Sequence, residues 1–133
     1  MDIRTKAVSA TSRLHLRDAA DELMVDNGKE VAVNLYGPGS KQFAKAQAAQ
    51  QNRMLDKLKR KGKTDQTAEQ KQVEQAEFLA ECTESFENLE LDGLTGHALA
   101  MAVYSDITIG FIADQVAKHI GDWSNFSKPS ATN

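Results

Sequence analysis

The chain has 133 residues, of which 41% are hydrophobic and 6% aromatic, and its formal net charge at neutral pH is −3. A chain of this length is most simply one domain, with a modest core of Leu, Ile, Val and Ala. No apolar run reaches the roughly 20 residues that span a bilayer, and the N-terminus lacks the apolar core of a signal peptide, so we expect a soluble cytosolic protein. The single cysteine, Cys82, excludes an intrachain disulfide, and its helical core spacing predicts a small buried side chain.

Residues 12–36 are predicted to form an antiparallel β hairpin. Apolar and polar side chains alternate in two runs, as in half-buried strands, with Leu14 and Leu16 in the first run and Val31, Val33 and Leu35 in the second. Between the runs, Asn27-Gly28 favours positive φ at both positions of a tight turn. A hairpin is weak alone, so we expect it to pack on a helix or to extend into a small sheet.

Residues 40–61 and 67–84 are predicted to form a pair of long antiparallel helices, with a hinge near residues 62–66. Ser40 is a favourable N-cap for the first helix. Thr67 and Gln70 have the spacing of a capping box at the start of the second. The inner face of the second helix is predicted to contain Val73, Ala76, Leu79, Ala80 and Thr83.

The last third of the chain is predicted to contain a short strand, two helices and a frayed tail. Apolar and polar residues alternate over 86–91, which favours the strand. Residues 95–121 follow as two helices: Thr95 can cap the first, and Ser105 or Asp106 the second. The apolar stripe of the last helix is predicted to contain Ile109, Ile112, Val116 and Ile120. Gly121 suits a left-handed C-terminal cap, and residues 127–133 are predicted to be frayed. These elements together predict an α+β fold, a small N-terminal sheet followed by about four helices.

Charge is divided sharply along the chain. Residues 53–63 carry six basic side chains and one acidic side chain, whereas residues 65–92 carry nine acidic side chains and one basic. A basic cluster can bind nucleic acid, but 53–63 contains no aromatic ring on which a base could stack, so this is the weaker interpretation. The two blocks can instead neutralise one another, within a helical hairpin or between subunits. With the thin core, this complementarity predicts self-association.

The sequence shows no pattern typical of a catalytic, cofactor or metal site. His15, His97 and His119 lack the spacing of zinc ligands. For His119, near a helix end, a favourable interaction of the protonated ring with the helix dipole is a sufficient explanation. The segment Gly37–Lys41 is superficially like a phosphate loop, but it lacks the first glycine and Pro38 removes a backbone donor. We therefore predict a non-enzymatic protein without a cofactor.

Two segments carry a resemblance to a known family. Asn34–Met54, NLYGPGSKQFAKAQAAQQNRM, and Val103–Phe126, VYSDITIGFIADQVAKHIGDWSNF, resemble the corresponding parts of the tail assembly chaperones of long-tailed bacteriophages. The order of the predicted elements resembles that family over most of the chain. One departure is Ile107, where the family pattern has proline. The resemblance implies a protein that binds the tape measure protein, keeps it soluble and recruits tail tube subunits, in the host cytoplasm and absent from the finished virion.

On this hypothesis the partner would contact amphipathic helical surface and the terminal aromatic residues. The candidate partner-binding residues are Phe43, Met54, Leu55, Leu58, Lys57, Lys59, Arg60, Lys61, Trp123 and Phe126. The apolar members would cover an apolar stripe of a helical partner, and the basic members would steer and align it. The competing interpretation is that the apolar members complete the monomer core. Two alternative functions stay open, a structural protein of the tail or head–tail connector and a small nucleic-acid-binding regulator.

Overall fold

The computed structural model describes residues 1–61 and 67–127, without the side chain of Lys61. Its strands and α-helices, in chain order, are β1 Thr11–His15, β2 Val25–Asp26, β3 Lys29–Glu30, β4 Ala32–Tyr36, α1 Lys41–Lys61, α2 Ala68–Glu81, β5 Thr83–Glu87, α3 Gly96–Ser105 and α4 Gly110–Ile120. Short 3-10 turns occupy Ile3–Lys6, Ile107–Ile109 and Trp123–Phe126. The predicted α+β class, a small antiparallel sheet followed by helices, is confirmed.

The main sheet is antiparallel and has the strand order β1-β4-β5. Its first pair runs from Thr11 opposite Tyr36 to His15 opposite Ala32, which confirms the predicted hairpin. At its far end, β2 and β3 form a second, smaller ladder. The turn between them has φ of 52° at Asn27 and 75° at Gly28, as predicted from the Asn-Gly pair.

The predicted strand over residues 86–91 is wrong in its bounds, because β5 begins at Thr83 and ends at Glu87. The preceding helix ends earlier than predicted, at Glu81, where the Cys82 N–H bonds back to the carbonyl of Phe78 at 3.2 Å. Asn88 then takes a positive φ of 58°, which turns the chain out of the sheet. The apolar residues that follow are half-buried and pack from a loop, so their alternation imitates a strand.

The two faces of the sheet differ in chemistry, as is typical of an antiparallel sheet with one solvated side. On the outer face, Arg13 donates to Glu30 at 2.7 Å and to Glu87 at 3.0 Å. The inner face contributes fully buried Val33 and Leu35 to the core. The helices cover this face.

Both predicted caps of the helical pair are present. The Phe43 N–H donates to the Ser40 hydroxyl at 3.1 Å, and Thr67 and Gln70 form the reciprocal capping box at 3.2 and 3.0 Å. The predicted hinge, residues 62–66, lies outside the described residues.

The predicted inner face of α2 is only partly right. Ala76, Leu79 and Ala80 are buried as expected. Val73 is exposed, and Thr83 belongs to β5, where its hydroxyl lies 2.6 Å from the Tyr104 hydroxyl.

Residues 95–127 depart from the prediction mainly at their boundaries. Thr95 occupies the N-cap position of α3 but makes no side-chain cap bond, whereas Asp106 accepts from the Thr108 N–H at 2.9 Å. Gly121 is right-handed, with φ of −81°, so the predicted left-handed cap is wrong. Ser127, the first residue of the predicted frayed tail, instead pairs with Val8, and the rest of that tail lies outside the described residues.

The apolar stripe of α4 is buried at Ile112, Val116 and Ile120, as its spacing predicts. Among the described residues, no single helix has the length and apolar character to cross a membrane, although α3 and the segment Ile107–Ile120 pass that test as a pair bent by 81°.

Candidate partner-binding surface

The C-terminal half of α1 presents an exposed apolar surface. Met54, Leu55 and Leu58 are 42%, 53% and 42% exposed. Residues four apart lie on the same side of a helix, so Met54 and Leu58 are neighbours and Leu55 lies beside them. We call these three residues the α1 apolar face. Large side chains this exposed on one helix can mark a site for another protein.

An adjacent side of α1 is held against α2 by ion pairs. The Arg53 guanidinium lies 2.7 Å from Glu74, 2.9 Å from Glu77 and 3.0 Å from Glu81. The Lys57 ammonium lies 3.6 Å from Glu74. The basic and acidic blocks therefore neutralise one another within the chain, at least in part. Self-association through these charges is therefore less favoured, and exposed apolar surface would have to supply the contact between subunits. The predicted self-association stays a prediction.

Sequence reasoning missed the burial of Glu74, which is 8% exposed. Its carboxylate is tolerated there because a charged group inside a protein is compensated when it is paired and hydrogen-bonded. The three glutamates that meet Arg53 recur at positions 74, 77 and 81 of α2, a spacing that places them along one side of the helix. That spacing was a signal for an acidic stripe facing the basic end of α1.

An aromatic groove lies at the N-terminal end of α1. Phe43 packs edge-on against Phe78 with ring centroids 5.6 Å apart, a favourable aromatic geometry. This pair lines an apolar groove of about 190 Å³, whose other side includes Ile120 and Gly121 of the α4 end. The volume suits the insertion of a single apolar side chain rather than a whole ligand.

The two terminal aromatic residues have opposite environments. Trp123 is 58% exposed, and its ring lies 3.7 Å from the point where a Cβ on Gly39 would stand. Phe126 is 1% exposed and packs over Gly37, where a Cβ would overlap its ring. Phe126 is therefore a core residue, and its inclusion among the candidate partner-binding residues is wrong because the fold already covers it.

The remaining candidates divide between packed and exposed positions. Phe43 is half-buried in the aromatic groove, and Lys57 is engaged with Glu74. Lys59 and Arg60 are exposed beyond the α1 apolar face, and the side chain of Lys61 lies outside the described part of the chain. The exposed apolar candidates are therefore the α1 apolar face and Trp123.

The structure brings together two histidines that are distant in sequence. His15 and His119 line one open groove of about 390 Å³. The His119 Nε2 lies 3.0 Å from the Ser12 hydroxyl, and its ring packs against Phe126 with centroids 5.5 Å apart. The nearby Asp122 carboxylate accepts from the Ser124 N–H and hydroxyl, at 2.9 and 2.7 Å, and so caps the last turn. These contacts give His119 a structural role.

Other reactive side chains are buried or dispersed. Burial raises the pKa of the Cys82 thiol to about 12, so it is protonated and inert at neutral pH. No group of three or more His, Cys, Asp or Glu residues that could hold a metal ion occurs among residues 1–61 and 67–127.

Stability is expected to fall between neutral and mildly acidic pH because of His119. Burial lowers the pKa of its ring, an effect only partly offset by the Asp122 carboxylate, so the folded state favours the neutral form. This corrects the expectation of a protonated ring stabilised by the helix dipole. The neutral ring contributes its full stability above the unfolded pKa of about 6.5 and loses it as the pH falls through the lower folded pKa.

Urea unfolding at about pH 7.5 and about pH 5 tests this, since carboxylates with ordinary pKa values near 4 titrate mainly below that window. The wild-type chain should lose more unfolding free energy over this range than a His119→Gln variant, which cannot be protonated. An equal loss in both would show that His119 does not control the pH dependence.

Comparisons of the chain with protein-family models, with curated proteins and with solved structures give no match.

Proposed function

We propose that this chain is a tail assembly chaperone that binds the tape measure protein of a long-tailed bacteriophage and promotes recruitment of tail tube subunits, without catalysing a reaction. It would act in the host cytoplasm and be absent from the mature virion. The support is the sequence resemblance together with one structural observation, the exposed α1 apolar face. A long helical partner with apolar stripes presents the complementary surface.

The free energy that the α1 apolar face can contribute is too small to hold a partner by itself. The three residues of the α1 apolar face are about half exposed, so burying the rest of each would contribute about 1 kcal/mol. Their sum of about 3 kcal/mol is less than the roughly 4 kcal/mol of even a millimolar complex. Additional contacts are therefore needed, and Trp123 and the aromatic groove at Phe43 are the nearest apolar candidates.

The basic residues beyond the α1 apolar face would contribute differently. Lys59 and Arg60 are exposed, where an ion pair adds little affinity but accelerates encounter with an acidic partner. Their replacement should change the association rate and its salt dependence more than the dissociation rate.

Pull-down of the co-expressed tape measure protein tests the proposal. A triple Met54→Ser, Leu55→Ser, Leu58→Ser variant loses the buried half of each side chain, at a cost of about 1 kcal/mol each, so circular dichroism should confirm that it is folded before binding is compared. It should bind the tape measure protein at least about tenfold more weakly, a loss of about 1.4 kcal/mol.

The matched control is a triple Ile3→Ser, Leu23→Ser, Val25→Ser variant, which removes exposed apolar side chains elsewhere on the chain. It should retain wild-type binding. Equal retention by both variants would contradict a role for the α1 apolar face.

Mass spectrometry of purified particles separates the proposal from a structural role in the tail or head–tail connector. A chaperone should be absent or far below the copy number of the tail tube protein. Stoichiometric presence of the chain in mature particles would favour the structural role.

A further inference from the structure

A groove lies beside the β5 edge of the main sheet. It has a volume of about 590 Å³ and runs between β5 on one side and the first half of α3 on the other. The strand order β1-β4-β5 places β5 at the edge, and β4 is its pairing partner among the described residues. An edge strand presents unpaired backbone donors and acceptors, which can template another extended chain.

The ladder register shows which residue offers those groups. Residues of a central antiparallel strand direct their hydrogen bonds alternately to its two neighbours. The Leu16 N–H donates to the Val31 carbonyl at 2.9 Å, so the backbone groups of Val31 face the β1 side. Because the direction alternates from residue to residue, the backbone groups of Asn34, three residues later, face β5, where Asn34 lies opposite Ser85. Ser85 is thereby bonded inward to β4. Phe86, the next residue, directs its N–H and C=O away from β4 to the open edge.

The side chains around this edge are apolar with a rim of carboxylates. The apolar residues that line the groove are Ala80, Phe86, Leu89, Leu94, Leu99 and Ala100. Glu84 and Glu90 also line it and are exposed, whereas Glu81 is held by Arg53 at 3.0 Å. No Lys or Arg occurs among the described residues that line it. The groove therefore complements apolar side chains and cations.

We propose that this groove binds an extended, basic segment of another protein, which adds to the sheet as a strand beside β5. Its backbone would pair with the edge at Phe86, its apolar side chains would enter the groove, and its Lys or Arg side chains would meet Glu84 and Glu90. Main-chain bonds supply affinity in such strand addition, and alternate side chains supply specificity. This proposal depends neither on the α1 apolar face nor on the proposed chaperone function.

Charge argues against a second copy of this chain as the occupant. Pairing of two β5 edges would bring Glu84 and Glu90 of both copies into one narrow region, and like charges across paired strands are destabilising. The strongly basic block of the chain lies largely in α1, which is helical from Lys41 to Lys61 and cannot add as a strand.

Fluorescence anisotropy with a synthetic probe tests the proposal on the full chain. The probe is a labelled peptide of about eight residues, a usual strand length, in which lysine and valine alternate. We expect saturable binding that weakens as salt is raised. A peptide with glutamate in place of lysine should not bind, and one N-methylated on alternate backbone nitrogens should lose at least tenfold in affinity, because it cannot complete a ladder.

Charge reversal locates the bound peptide. A Glu84→Lys, Glu90→Lys variant should bind at least tenfold more weakly than the wild type, a loss of about 1.4 kcal/mol. A Glu22→Lys, Asp114→Lys variant makes a similar charge change at exposed positions outside the groove and should lose far less affinity.

Hydrogen exchange provides a second readout that does not depend on these variants. Bound peptide should slow exchange of the Phe86 amide and leave the exposed surface of α1 unchanged. Equal affinity of the two charge-reversal variants, failure of the lysine–valine peptide to bind, or a β5-to-β5 dimer trapped by a Ser85→Cys variant would each overturn the proposal.

Discussion

Replacing Phe126 with alanine is expected to lower the free energy of unfolding by about 3–5 kcal/mol, the usual cost of removing a buried phenylalanine ring. The ring is 1% exposed and fills the space above Gly37. The Phe126 carbonyl also accepts from the Ser9 N–H at 2.7 Å, and the next residue, Ser127, pairs with Val8. Phe126 thus anchors the end of the described chain against the segment that precedes β1 and the turn that follows β4.

Urea unfolding monitored by circular dichroism would measure this effect, with Trp123→Ala as the matched control. Trp123 lies three residues away in the same 3-10 turn but is 58% exposed, so its loss should cost about 1 kcal/mol, well below the loss expected at Phe126. If Phe126→Ala does not fold, Phe126→Leu should show a smaller loss in the same direction. Equal stability of the Phe126 and Trp123 variants would contradict the packing described.

Replacing Arg53 with methionine is expected to cost about 3 kcal/mol, near the lower end for breaking a buried ion pair. The substitution keeps apolar length but leaves Glu74, which is 8% exposed, with Lys57 at 3.6 Å as its remaining cation. It also removes the guanidinium that pairs with both Glu77 and Glu81. The unpaired carboxylates should separate α1 from α2.

A double variant distinguishes this cause from a general loss of packing. Adding Glu74→Met to Arg53→Met removes the buried charge with its partner, so much of the lost stability should return. Glu77→Gln alone should cost much less, because Glu77 is more exposed than Glu74. An Arg53→Met variant as stable as the wild type would show that the ion pairs do not hold the helices together.

Features determined by a few adjacent residues were predictable from sequence. The Asn27-Gly28 turn and the Thr67–Gln70 capping box each depend on residues within one turn, and both are present. The hairpin was predictable for a similar reason, since the turn and the alternation of its strands agree. Such local agreement is what a sequence pattern encodes most directly.

Features determined by distant partners were not predictable in the same way. The bounds of β5 depend on its pairing with β4, and the alternation of Leu89 and Leu91 misplaced it. Glu74 is buried while its neighbour Val73 is exposed, because Glu74 pairs with Arg53, which lies 21 residues earlier in the chain. Hydrophobicity alone ranks these two residues in the wrong order, because it does not include a charged partner.

The candidate surface shows the same division. Periodicity placed Met54, Leu55 and Leu58 together on α1, and they are exposed on it. Periodicity could not predict that Trp123 is exposed and Phe126 is buried, because the space that receives the Phe126 ring forms only when Gly37 and the sheet are in place. The groove beside β5 was missed because the strand that forms its edge was assigned to the wrong residues.

The two candidate surfaces suit different conformations of a partner. The α1 apolar face suits a helix, whereas the edge of β5 suits an extended strand. The two surfaces therefore predict separable phenotypes, since serine substitutions on α1 should not affect the lysine–valine peptide. A variant set that covers both surfaces would show whether one partner engages both or each serves a different protein.

The soluble fraction of the tape measure protein after co-expression is the most direct test of the chaperone proposal. We expect the wild-type chain to raise that fraction well above an empty-vector control, and the triple serine variant of Met54, Leu55 and Leu58 to raise it much less at equal expression. A soluble fraction that is the same with the wild-type chain and with the empty vector would contradict the proposal.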